Sequence, residues 1–254
     1  MKFLARIVAI WTVFQLAACS SLTPVSPVAP SENAVGGSPW AKASVPSQKS
    51  AEVWQHLKFP GKQPTVFSYA REDGREALVA KARSSMSLVR KIVRVEPADM
   101  GQIRFSWKVP ALMPNADMAV KETDDCSVRV VLSFDGDRSR FSPKNAMLSE
   151  LARLMTGEEL PYATLMYVWS KTKPTGSVIV NPRTDRVRKL VVESGYQHLN
   201  NWVDYERTIR ADFEKAFGEA PGALLSVSVM TDSDNTQSNT QAWYGPLTLT
   251  SSRH

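Results

Sequence analysis

Ile103-Arg104-Phe105-Ser106-Trp107-Lys108-Val109 places an apolar side chain at every second position and a polar one between. Side chains of an extended strand alternate between faces, so this stretch has one dry face (Ile103, Phe105, Trp107, Val109) and one wet face. The same period returns at Val128, Val130, Leu132 and Phe134, set against Ser127, Arg129 and Ser133, with Val131 as the exception. It returns again at Leu225, Val227 and Val229 against Ser226 and Ser228. Residues 65–70, 76–82, 86–95, 165–170, 176–180, 187–192 and 243–249 read as further strands. About ten short strands separated by polar turns predict a mainly β chain: one antiparallel, jelly-roll-like β-sandwich over residues 51–250, not a βαβ fold.

Two helices interrupt the pattern. Ser142 and Pro143 supply a cap and a first-turn proline for a helix over 143–155, with Met147, Leu148, Leu151, Leu154 and Met155 as an apolar stripe ending at Gly157. The second runs from about Arg207 to Phe217, with Ile209, Phe213 and Phe217 four apart, and Gly218 stops it.

Composition excludes several classes. The chain has 254 residues, 31 Lys+Arg against 25 Asp+Glu, and a formal charge of +6. A mean hydropathy of −0.24 is not that of a multi-spanning membrane protein. Two cysteines and three histidines rule out a disulfide scaffold and argue against a zinc site. No G-x-S-x-G is present to suggest a serine hydrolase.

The N-terminus carries an address. Lys2 and Arg6 precede an apolar run over residues 7–14, far short of the roughly 20 residues a membrane-spanning helix needs. Leu16-Ala17-Ala18-Cys19 follows and resembles the lipobox of bacterial lipoproteins. That resemblance implies a signal peptide over residues 1–18, cleavage before Cys19 and acylation of Cys19, so that the lipid bilayer is a partner. Several acyl chains at about 0.8 kcal/mol per buried CH₂ anchor a protein stably. Ser20 is not the aspartate of an inner-membrane retention signal, so the periplasmic face of the outer membrane is the expected address. Cleavage removes Lys2 and Arg6 and no acid, leaving +4, which with this compartment argues against nucleic acid. Residues 19–50 contain Pro24, Pro27, Pro30, Pro39 and Pro46 among Ser, Ala and Val, and read as a tether that includes Trp40.

Two constellations bear on function. Asp124-Asp125 precedes one strand and Asp232-Ser233-Asp234-Asn235-Thr236 follows another. If those strand ends meet, four carboxylates and an amide converge. Something positive must then sit among them: Arg129, Arg207 or calcium, a hard cation that takes six to eight oxygens. An arginine–aspartate network is the favoured answer, because the loop lacks the glycine and distal glutamate of an EF-hand. The simpler alternative is that these residues form turns. Trp54, Trp107, Trp169, Trp202 and Trp243 remain after the signal and tether are set aside. Trp107 belongs to a dry face, while Trp169 and Trp243, with the adjacent Tyr244, are the candidates for an exposed platform that stacks on sugar rings. Cys126 reads as a small buried hydrophobe. The basic run 183–189 reads as the wet side of a strand pair.

Four segments, TDDCSVRVVLSF from Thr123, LMYVWS from Leu165, NWVDYERTIRADFEKAFGE from Asn201 and VMTDSDNTQSNTQAWYGPLTL from Val229, together resemble a bacterial envelope family known as domain of unknown function 3047. The resemblance runs from about Trp54 to Leu249. It implies a surface around Asp124, Asp125, Arg129, Arg207, Asp212, Asp232, Asp234 and Asn235, and no established activity. The chain departs from the family at the helix over 143–155, which looks like an insertion, and at Gln237, where a glycine is expected. A weaker fold-level resemblance runs to carbohydrate-binding jelly rolls. The expectation is therefore a non-catalytic envelope module that binds glycan or another ligand, with a glycan-acting enzyme using the Asp pairs, or a purely structural protein, as alternatives.

Overall fold

In the computed structural model, which describes residues 35–44 and 53–252, the alternation at Ile103–Val109 is an inner strand of one of two packed sheets. The first strands are β1 (Gln55–Lys58), β2 (Val66–Glu72), β3 (Arg75–Arg83), β4 (Met86–Val95), β5 (Met100–Lys108) and β6 (Cys126–Phe134). Then come β7 (Ala163–Ser170), β8 (Val178–Val180), β9 (Val187–Ser194) and β10 (Trp202–Thr208). The last are β11 (Leu224–Asp232), β12 (Asn239–Tyr244) and β13 (Thr248–Ser251). Helices are α1 (Pro39–Ala43), α2 (Pro143–Thr156) and α3 (Ile209–Phe217). One sheet has seven strands in the order β1-β4-β11-β6-β7-β9-β8; the other has six, β10-β5-β12-β3-β2, with β13 also on β5. This is the mainly β, jelly-roll-like sandwich that the alternation predicts.

The dry faces meet between the sheets. Ile103, Phe105 and Trp107 are buried against Val128, Val130, Leu132 and Phe134 of the facing sheet. Phe105 stacks on Tyr167, ring centroids 5.4 Å apart. Each such large side chain contributes about 1.5–3 kcal/mol when buried. Val131 faces the other way, into a small second cluster with Leu88 and Met230 on the outside of the seven-stranded sheet. A third holds Met118, Cys126, Val168, Ile179 and Val191. The central strands are thus covered on both faces, which is why their alternation is impure.

Five local features differ from the sequence-based expectation. The pair β7–β9 is parallel in an otherwise antiparallel sandwich, because the chain passes outward to the edge strand β8 and returns between it and β7. Arg207 lies within strand β10 instead of opening the helix, since residues 202–208 pair fully with β5. Lys189, expected on a wet face, is fully buried on β9. The stripe on α2 faces solvent, whereas such stripes ordinarily face the core: Met147 is 63% exposed, Leu151 49%, Leu154 71% and Met155 57%. Polar contacts impose this, with Asn145 held by Asp185 (2.6 Å) and Thr184 (2.8 Å) and Ser149 accepting from Arg138 at 3.2 Å.

The fifth feature lies in the expected tether. Val35–Ser44 is docked on the sandwich: Ser38 caps α1, Trp40 is fully buried against Trp54 (centroids 4.9 Å), and the Leu247 N–H donates to Ser44 Oγ at 3.3 Å. One indole carries the docking, a signal too small to show against the Pro, Ser and Ala around it. The signal segment, Cys19 and the other tether residues lie outside the described residues.

Candidate functional site

The acidic residues converge on the outside of the seven-stranded sheet. Asp232 ends β11 two residues after Met230, the ladder partner of Arg129, so strand alternation puts it on the face that carries Arg129, and a register shift on β6 sets Cys126, which begins that strand, opposite it. Arg129 Nε donates to Asp232 Oδ1 (3.0 Å) and Nη2 to Asp232 Oδ2 (3.0 Å). Nη2 also reaches Asp124 Oδ1 (3.1 Å) and the Asp124 carbonyl (3.0 Å). Asp124 closes over the strands from the preceding loop, where its Oδ1 also accepts from Lys189 Nζ (2.6 Å) and its Oδ2 from Asn181 Nδ2 (3.0 Å). All of Asp124, Asp232, Arg129 and Lys189 are buried. Burial pushes the Asp232 carboxyl up to about 6, against the pull of the guanidinium. Burial, aided by Arg129, lowers the Lys189 ammonium to about 8. Burial also works against the charge on Arg129, but the two carboxylates outweigh it, and it stays a cation.

Asp125 turns the other way and organises the loop after β11. Its Oδ1 accepts the Asn235 N–H (3.1 Å), and its Oδ2 accepts the Thr236 N–H and hydroxyl, both at 2.6 Å. Asn235 Nδ2 ties the loop to the Lys121 carbonyl at 2.9 Å. Gln237, where the family pattern leads one to expect glycine, adopts φ +50°, the left-handed region that glycine enters most cheaply. Asp234 meets Lys62 through Oδ2, while its Oδ1 is buried without a hydrogen-bond partner among the described residues. Asp125, Asp232 and Asp234 bring carboxylate oxygens within 4.8 Å of one another. N–H donors point at the Asp125 oxygens, the Arg129 guanidinium at Asp232 and Lys62 at Asp234, so positive groups of the chain itself face these carboxylates. Asp125 also lines a recess of about 20 Å³, room for about one water molecule. Chemically, the cluster is a closed ionic node that clamps the loops to the strand ends.

Arg207 and Asp212 stand apart from it. Arg207 holds Asp212 through Nε–Oδ2 (2.8 Å) and Nη2–Oδ1 (2.5 Å), and the Tyr167 hydroxyl donates to Asp212 Oδ2 (3.0 Å). Asp212 precedes Phe213, which packs on Phe134, the far end of β6 from Cys126. Tyr167 pairs with Val130 and stacks on Phe105 between the sheets, so the Arg207–Asp212 pair sits on the inner side of the seven-stranded sheet, the opposite side from Arg129. Two further expectations are corrected. Trp169 is a core residue whose Nε1 donates to the Gly195 carbonyl (2.9 Å). Tyr244 is fully buried; it donates to the Met230 carbonyl at 2.5 Å and accepts the Arg129 N–H at 3.2 Å, joining the sheets. Cys126 is buried, with its thiol pushed up by burial, a hydrophobe and not a nucleophile.

Trp243 is half-buried on the outer face of the six-stranded sheet. It pairs across the ladder with Lys108, which on its other side pairs with Trp202, giving a row Trp202-Lys108-Trp243. Lys108 Nζ lies 5.4 Å from the Trp243 ring centroid and is held by Glu72 (2.7 Å) and Asp73 (2.8 Å). Along β12 the same face continues through Gln241 and Asn239, paired with the exposed Lys81 and Arg83 of β3. These four side chains and the segment from Pro110 to Pro114 line an open groove of about 500 Å³. The sequence reading missed the groove, Asn181 and the part of Lys189 in the node, while Thr236 stood in the acidic segment it quoted. The alternation of Asn239, Gln241 and Trp243 on one strand is the signal from which the groove could have been found.

Fold and site together define a two-sheet β-sandwich with a buried ionic clamp on the outer face of one sheet and, on the other sheet, an open polar groove beside the row Trp202-Lys108-Trp243. The chain belongs to the family described as protein of unknown function (DUF3047), whose model matches residues 52–248. No curated protein matches it. Among solved structures it is similar to the xyloglucanase domain of NopAA, a type three effector from Sinorhizobium fredii, in complex with cellobiose. That similarity has a TM-score of 0.43 and 11% identity over 84% of this chain and 100% of the other. It is also similar to the enzymatically active domain of tailspike protein 4 of bacteriophage CBA120, with a TM-score of 0.37 and 7% identity over 86% of this chain and 22% of the other.

Proposed function

We propose that this chain is an envelope lipoprotein, held through acylated Cys19 at the periplasmic face of the outer membrane, that binds envelope glycan without transforming it. The observation that carries the binding reading is the open groove on the six-stranded sheet, with Asn239, Gln241, Lys81 and Arg83 leading to half-exposed Trp243. Amide groups match the paired donors and acceptors of sugar hydroxyls, and an indole face packs on the C–H face of a pyranose ring. The cations favour sugars bearing carboxylate or phosphate. The acidic node speaks for a non-catalytic role, because an acid/base pair needs free carboxyls beside a space for substrate, and here Arg129 and loop N–H groups occupy them.

A glycan array probed with the full chain is expected to show binding to acidic envelope glycans. Trp243→Ala should weaken it about 10-fold, near 1.4 kcal/mol, and Lys81→Glu with Arg83→Glu should remove the preference for acidic sugars. Binding that survives all three changes would remove the groove from the proposal. Turnover of a bound glycan that Asp232→Asn abolishes would make the chain an enzyme instead.

The anchor is tested separately, from the lipobox. Cys19→Ala should shift the chain from the membrane fraction to the soluble fraction. Unchanged fractionation would end the lipoprotein reading.

A further inference from the structure

The ladder between β12 and β5 stops early, and the groove lies where it stops. Trp243 and Tyr244 pair with Lys108 and Trp107, and the Gly245 N–H donates to the Ser106 carbonyl at 2.9 Å. Backbone groups of an antiparallel strand point to alternate sides, so those of Asn239 and Gln241 point toward β5, as those of Trp243 and Gly245 do. On the other side the Ser84 N–H meets the Ser238 carbonyl at 2.9 Å, which assigns Thr240 and Ala242 to β3. The β5 register would set Pro110 opposite Gln241, and a proline nitrogen has no hydrogen to donate. From Pro110 onward the chain no longer pairs with β12, and no hydrogen bond from a described residue meets the Asn239 or Gln241 backbone on that side. Two open strand positions, about 6.8 Å apart, therefore form one wall of the groove, and residues 110–114 form the other. Ser127 of the facing sheet ties both walls: its hydroxyl donates to the Ala111 carbonyl (3.4 Å) and accepts from the Thr240 hydroxyl (3.0 Å).

We propose that this edge takes an extended peptide as an added strand, and that the peptide is an acidic substituent of the envelope glycan. The inference rests on the glycan reading above and narrows it to a peptide-substituted glycan. A strand edge is matched by another extended backbone, whose amides repeat at the same interval and exchange both N–H and C=O bonds with it. A bare sugar chain carries no backbone of amides to match it. Charge selects the kind of peptide. Lys81 and Arg83 line the groove from β3, exposed and without an acidic partner among the described residues, and no carboxylate lines it with them. Acidic side chains on the outer face of an added strand come within reach of these two long cations. Trp243 lies two residues beyond Gln241 on the same face of β12, half-buried, where a pyranose joined to the peptide can stack.

Hydrogen exchange of the full chain, read residue by residue by NMR, tests the edge and its ligand. In the free chain the Asn239 and Gln241 amides should exchange about 10-fold faster, or more, than those of Thr240 and Ala242, which face β3. Slow exchange at Asn239 and Gln241 before any ligand is added overturns the proposal. A disaccharide carrying an amide-linked acidic peptide should bind and slow both amides. The same disaccharide stripped of its peptide should bind roughly 10-fold more weakly and slow neither. Methylating the peptide nitrogens one at a time should weaken binding at alternate positions only, a pattern that strand pairing gives and a merely electrostatic contact does not. Equal binding of the stripped disaccharide, with exchange unchanged, overturns the proposal and leaves the glycan reading standing. Free peptide that binds as tightly as the substituted disaccharide overturns both and makes this a peptide site. Binding of none of the three likewise overturns both.

Discussion

Replacing Arg129 by Met lowers the unfolding midpoint of this protein by roughly 10 °C, the largest fall expected from any single change in the acidic node. The guanidinium makes two hydrogen bonds to Asp232 and two to Asp124, and all three residues are buried. Removing one side of a buried ion pair leaves the other charged groups desolvated and unpaired, which costs about 3–5 kcal/mol. For a domain of this size each kcal/mol is worth about 2–4 °C. Methionine fills the stem volume and isolates the charge effect. Because Asp124 retains Lys189 and Asn181, the loss should fall mainly on Asp232. A chelator in the same melt is expected to leave the midpoint of the unaltered chain where it is, since the positive charge is internal. A midpoint unmoved by Arg129→Met, or one that collapses with chelator, would contradict this account and return calcium to the node. Arg207→Met is the comparison: Arg207 is 35% exposed, so water can enter where the guanidinium was, and the buried Asp212 keeps the Tyr167 hydroxyl, so a smaller loss is expected.

Trp40→Ala is expected to cost about 3–5 kcal/mol, the range for truncating a buried tryptophan. Trp40 is fully buried, packs on Trp54, and belongs to the cluster that includes Trp107 and Leu247. Its Nε1 has no hydrogen-bond partner among the described residues, so part of its burial is already penalised. Trp40→Phe should therefore retain most of the stability, losing ring area but also removing the unpaired N–H. Melting the two variants, with limited proteolysis around residues 35–44, checks the expectation. A Trp40→Ala variant as stable and as protease-resistant as the original chain would mean that Val35–Ser44 belongs functionally to the tether.

Much of the fold was legible because strand periodicity is local. Each alternating segment states on its own which side chains seek a core, and 86–95 agrees with β4 to the residue. Legibility failed where the partner of a segment decides its state. Residues 202–208 mix Val203 and Tyr205 with Asp204 and Glu206, an edge-strand pattern that becomes a strand only by pairing with β5. The convergence of Asp124, Asp125, Asp232 and Asp234 near Arg129 was open to formulation from sequence, since both acidic segments flank strands. The grouping of Arg207 and Asp212 with them was not sound, because family resemblance in sequence does not carry distance.

The sequence by itself determined the two-faced strands, the turns between them, the capped helix at Ser142–Pro143 and the address-like segment ending at Cys19. These rest on interactions within a few residues, where spacing alone fixes direction. Only the tertiary structure decided that Lys189 is buried, that Trp169 and Tyr244 are core residues, that Trp40 is docked, and that α2 turns its leucines outward. Each of those depends on what a distant segment lays over the side chain. Asp124 arrives above Lys189 from 65 residues away, and Asp185 and Thr184 take Asn145 from about 40. Desolvation and hydrogen bonding are set by such neighbours, and no local period records who they are.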